Sequence, residues 1–106
     1  MDTKSYLRLS KELFQRIEAK LEQYVEEIDF EYGQGKLEIS FESGGPKMVI
    51  NTQQAIHEVW LAGNGHGWHF KYLEESEQWY AQAEQIELFH CLSQLLSNRL
   101  GVEVRF

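Results

Sequence analysis

The spacing of apolar residues changes twice along the chain, and those two changes decide what it can fold into. Tyr6, Leu9, Leu13, Ile17, Leu21, Tyr24 and Ile28 recur every three or four residues, which only a helix gathers on one face. Asp2 or Thr3 can supply the N-cap oxygen, and the pattern breaks after Val25. From Ile28 the period becomes two. Ile28, Phe30 and Tyr32 alternate with Asp29 and Glu31, then Leu37, Ile39 and Phe41 alternate with Lys36, Glu38, Ser40 and Glu42. Gly33-Gln34-Gly35 can join these two strands, and Ser43-Gly44-Gly45-Pro46 turns the chain into a third at 47–51. Strands at 56–62 and 68–72 flank the Gly-rich turn 63–67, and a short one is expected at 78–80. After Glu84 the helical period returns through Phe89, Leu92, Leu96 and Leu100, and Gly101 suits the position that ends a helix. Val102, Val104 and Phe106 read as a terminal strand.

Helix, antiparallel meander, helix is the order of an α+β fold. Two terminal helices would cover one face of a five- to six-stranded antiparallel sheet as a two-layer sandwich, leaving the other face to solvent. A chain of 106 residues has room for one such domain, and 42% apolar residues suffice for its core.

Charge narrows the partners. Seventeen acidic against ten basic residues give a net −7, which repels nucleic-acid phosphates and anionic membranes and favours cations or basic protein surfaces. The lone Cys91 allows no internal disulfide, and no apolar run resembles a secretion signal or a membrane span, so a cytoplasmic protein is expected. No nucleophile stands in a motif that would supply it with a base, so the chain is read as a non-enzyme. His66 and His69 are three apart in a strand, which sends them to opposite faces and not to a shared metal. The glycines at 63, 65 and 67 lack the Lys-Ser or Lys-Thr of a phosphate loop.

The segment from Glu22 to Glu31 has five carboxylates and no basic residue. Glu18, Glu22 and Glu26 are four apart and would stack on a continuing helix, while Asp29 and Glu31 share one side of the next strand. Like charges at helical spacing cost about 0.2–0.5 kcal/mol per pair. Rows of hard oxygen donors attract divalent or trivalent cations weakly, and they also match a basic protein surface. A second surface follows from parity. If Val59 and Leu61 face the core, Glu58 and Trp60 face the open side, and with Met48 and Ile50 inward, Asn51 and Gln53 join them. An outward Trp among amides suits a protein interface.

The run from Ile50 to Ala62 (INTQQAIHEVWLA), followed by Gly67-Trp68-His69-Phe70, resembles the central motif of the frataxins, specifically those of the bacterial CyaY type. The acidic first helix and strand, Trp79 after a polar turn and the apolar second helix follow the same order, so the likeness spans nearly the whole chain. The short N-terminus resembles the bacterial form.

The resemblance implies the frataxin fold and weak, reversible iron binding (Fe2+ or Fe3+) on a ridge of Glu18, Glu22, Glu26, Glu27, Asp29 and Glu31. It also implies docking to a cysteine desulfurase and its iron–sulfur scaffold through Asn51, Gln53, Glu58 and Trp60. A monomer is expected, with iron-dependent association as the variant. Ala19 and Gln23 stand where relatives often carry acids, Ala55 where Pro is common, and Glu58 where Gln is common. The competing functions are iron oxidation or storage, and metal-independent inhibition of the desulfurase.

Overall fold

The computed structural model describes residues Met1–Phe106. Helix α1 spans Thr3–Leu21, and Asp2 caps it: its Oδ1 accepts the Ser5 N–H at 2.8 Å. After a 3-10 turn at Glu22–Tyr24 come seven strands, β1 (Ile28–Gly33), β2 (Lys36–Phe41), β3 (Met48–Gln53), β4 (Glu58–Gly63), β5 (His66–Leu73), β6 (Gln78–Ala81) and β7 (Ile86–Glu87). Helix α2, Leu88–Leu100, closes the order. The strands pair in sequence, β1 to β7, and every pair is antiparallel.

The alternation read from the sequence is the alternation of burial. Leu37 and Ile39 of β2, Met48 and Ile50 of β3, Val59 and Leu61 of β4 and Phe70 of β5 are fully or almost fully buried. They form one cluster with Tyr6, Phe14 and Ile17 of α1 and Leu88, Leu92 and Leu96 of α2. Both helices therefore lie on the same side of the sheet. Cys91 belongs to this core, and burial pushes its thiol up to about 12, so it is protonated and inert at neutral pH.

The β1–β2 hairpin turns through Gln34 and Gly35, both left-handed at φ 53° and 73°, the pair of conformations a tight two-residue turn needs. A side chain at Gly35 would collide with the Thr52 hydroxyl, which instead donates to the Gly35 carbonyl at 3.3 Å. The loop between β2 and β3 is held by Arg99. Its guanidinium donates to the carbonyls of Pro46 (2.8 Å) and Gly44 (3.0 Å) and lies 3.9 Å over the Phe41 ring.

Several expectations are corrected. The first helix stops four residues before Val25, because the chain tightens at Glu22 and must reverse into β1. The fourth strand starts at Glu58 and not at Ile56: Gln54–Ile56 form a 3-10 turn, and His57 at φ 54° redirects the backbone. The sheet gains a seventh, two-residue strand immediately before α2. The tail forms no strand. Val104 is buried against the helices, and its backbone N–H goes to Ser97 Oγ at 2.8 Å, so the tail's hydrogen bond is to α2. Phe106 follows it, 5.2 Å from Phe89 between ring centroids. No helix is long and apolar enough to cross a membrane.

Candidate functional site: an acidic edge and a sheet face

The acidic residues fall on the side of the molecule where α1 hands over to β1. Glu18 is in the last turns of α1, and Glu22 caps that helix and opens the 3-10 turn. Glu26 and Glu27 lie in the link to β1, and Asp29 and Glu31 lie on β1, an edge strand of the sheet. The stacked stripe of Glu18, Glu22 and Glu26 is not formed, because the α-helix has ended before Glu26. The pairing of Asp29 with Glu31 is: both alternate with the buried Ile28 and face outward, opposite Ser40 and Glu38.

Five of the six are exposed and Glu18 is half-buried. None makes an ion pair. The ion pairs of the chain are Arg8–Glu12, Lys36–Glu38, Lys47–Glu38, Lys71–Glu58 and Arg105–Glu103. The inner border of the acidic region is Glu38, directly across from Glu31. Its carboxylate sits 2.9 Å from Lys36 Nζ and 3.4 Å from Lys47 Nζ, and the hydrogen bond from Lys36 holds its pKa below the usual value, with Lys47 adding to it. The basic residues nearest β1 in the sheet are thus occupied by Glu38.

No group of three or more His, Cys, Asp or Glu side chains lies close enough together to enclose a metal ion. The donor set along the edge is oxygen alone, spread over a helix end, a turn and a strand. Such a set suits hard cations held loosely and exchangeably, and it lacks the closed geometry of a tight or catalytic centre.

The second surface is the outer face of β3 to β5. Register places Asn51 opposite Trp60 and Gln53 opposite Glu58, so the four residues derived from parity are neighbours. Trp60 does face outward, yet it is half-buried and not open, because His69 stacks on it at 4.0 Å with 9° between the rings. Its indole N–H donates to Glu58 Oε1 at 2.7 Å, and Glu58 Oε2 lies 3.8 Å from Lys71 Nζ. The Glu58 side chain is only 13% exposed. Its charge therefore fixes the Trp60 ring and is not displayed to solvent as added negative charge. Glu58's backbone carbonyl accepts from the Tyr6 hydroxyl at 2.6 Å, which ties this strand to α1.

His69 is the member of this surface that sequence reasoning missed. The signal was present in Asn64-Gly65, the strongest two-residue hairpin dipeptide, whose residues sit at φ 52° and 76°. Taking those two as the turn fixes the register, and Trp60 then falls opposite His69. His57 and His66 belong elsewhere, against Tyr6 and Trp68 respectively.

A two-helix, single-sheet sandwich with a free acidic edge and an aromatic outer face defines a recognisable class. A family model for the frataxin-like domain matches residues 1–102, and the chain belongs to that family. Among its relatives, a protein of Herminiimonas arsenicoxydans named iron-sulfur cluster assembly protein CyaY is 34% identical over 108 residues, covering 98% of this chain and 95% of that one. Among solved structures, a frataxin from Psychromonas ingrahamii, described as a model for stability modulation within the CyaY protein family, is similar with a TM-score of 0.87 and 28% identity. That match covers 99% of this chain and 97% of the other.

Proposed function

We infer that this protein is an adaptor of iron–sulfur cluster assembly in the bacterial cytoplasm, with no catalytic step of its own. In this reading iron binds weakly along Glu18, Glu22, Glu26, Glu27, Asp29 and Glu31, and the same edge docks on an Arg- and Lys-rich surface of a cysteine desulfurase. The face of Asn51, Gln53, Glu58 and Trp60 meets the scaffold protein. Iron and the basic partner compete for, or share, the same carboxylates, and iron occupancy thereby alters how the desulfurase is engaged.

The observation that carries the reading is the contrast in pairing. Other acids of this chain, Glu12, Glu38, Glu58 and Glu103, have a Lys or Arg within ion-pair distance, while the six of the edge have none. Unpaired like charges held together raise the local negative potential and speed encounter with a positive surface. Iron oxidation, the alternative class, calls for metal ions held in a defined geometry, and the absence of any converging donor group disfavours it.

The test is capture of the host's cysteine desulfurase on the immobilised protein, with iron added or chelated, using the native chain and the double variant Glu22→Lys, Asp29→Lys. Capture by the native chain that shifts with iron and is lost in the variant supports the adaptor. Equal capture by both proteins at low and high salt removes it.

A further inference from the structure

The acidic strand is also the long open edge of the sheet. β1 pairs with β2 alone. The Glu42 N–H donates to the Glu27 carbonyl at 2.9 Å, and from there the bonded pairs of the antiparallel ladder are Asp29 with Ser40, Glu31 with Glu38 and Gly33 with Lys36. The intervening residues Ile28, Phe30 and Tyr32 turn their N–H and C=O groups away from the sheet, with no strand beside them. The opposite edge is different in kind, since β7 is two residues long and runs straight into α2.

A six-residue open edge is a template for another strand, and proteins guard such edges with charge. Here the guard has one sign. A second copy laid on β1 would bring Asp29 and Glu31 against acids of its own kind. A strand with Lys or Arg at alternate positions would instead face them, and it would relieve the like-charge opposition of Glu31 and Glu38. On the other face its intervening side chains would meet the half-buried Phe30 and Tyr32, which is 45% exposed against Phe14. Apolar residues suit those positions.

We propose that β1 accepts an extended segment of a protein partner, alternating basic and apolar residues, as an eighth strand of the sheet. Main-chain hydrogen bonds to Ile28, Phe30 and Tyr32 supply the affinity, and Asp29 and Glu31 select the charge. This rests on the reading of the acidic edge as a docking surface and states how the docking is made.

The probe is a short synthetic peptide alternating lysine and valine, compared with the same peptide N-methylated at its valines. Both carry the same charge, and only the first can donate to the open edge. The expected results are a loss of about tenfold or more in affinity on N-methylation, and amide hydrogen exchange at Phe30 and Tyr32 slowed by about tenfold or more under the unmethylated peptide. Tyr32→Pro, which removes only an outward N–H from the ladder, should weaken binding where Tyr32→Ala does not. Equal affinity of the two peptides, self-association through β1, or binding without amide protection overturns strand addition. If binding in that case is still abolished by Asp29→Asn with Glu31→Gln, charge docking stands without it. Indifference of the peptide to those two amides overturns both.

Discussion

The acidic edge and the β4–β5 face present opposite ways of using charge. On the face every ionised group is spent internally: Glu58 holds Trp60 through its indole N–H and lies near Lys71, and His69 braces the ring from the next strand. On the edge, Glu22, Glu26, Glu27, Asp29 and Glu31 are exposed and unpaired. A fixed aromatic surface loses little freedom when a partner docks, so its contribution is to the lifetime of the complex. An unpaired charge row acts before contact, on the rate of encounter, and is weakened by salt. The difference suggests a division of labour between finding a partner and keeping it.

Reversing charge on the edge should break the comparison most severely. Glu22→Lys with Asp29→Lys is expected to slow association with the desulfurase by about 100-fold at low ionic strength, and the deficit should shrink toward nothing at high salt. Stopped-flow association across a salt series reads both. Trp60→Ala should lower affinity by about 30-fold through faster dissociation, with the salt dependence unchanged. A Trp60 variant that altered the salt slope would show that the two regions do not act separately.

Smaller effects sharpen the contrast within the folded protein. Glu58→Ala leaves the Trp60 indole without its acceptor and should cost about 1–3 kcal/mol by urea unfolding, whereas Glu58→Gln, which keeps an acceptor, should lose less than half of that. Glu26→Gln should leave stability unchanged within about 0.5 kcal/mol, because nothing in the fold leans on that charge.

The smallest effect is one of pH. Glu38 has its folded pKa lowered below 4.5 by Lys36 and Lys47, and Asp2 is lowered below 3.8 by its hydrogen bonds to Ser5. A group depressed in the folded state stabilises above its unfolded pKa and loses that contribution as pH falls through the folded value. Native stability should therefore decline as pH drops below about 4.5. Glu38→Gln should flatten that decline slightly, measured as the urea midpoint at successive pH values. No such change is expected from Glu26→Gln.

Much of this was legible in the chain. Period-three-to-four spacing at both ends and period-two spacing between them define the sandwich, because burial acts on each periodicity directly. The two helix-to-strand boundaries were not, for different reasons. At the first, Tyr24 and Ile28 continue the helical spacing although the backbone has left the α-helix, since a 3-10 turn keeps apolar residues on nearly the same side. At the second, Val102, Val104 and Phe106 alternate as a strand does, but only Val104 is buried and the tail's polar partner is Ser97. The members of the acidic edge could be listed from sequence because charge clusters locally. His69 could not be joined to Trp60 without the register of the β4–β5 hairpin, which is a fact about pairing and not about local pattern.

The most direct test of the account is to add ferrous iron anaerobically to the isotope-labelled protein and follow paramagnetic broadening of its amide signals. Broadening that begins in residues 18–31 and leaves Trp60 and His69 sharp is the predicted result. Broadening centred on the β4–β5 face, or spread evenly over the molecule, would contradict it.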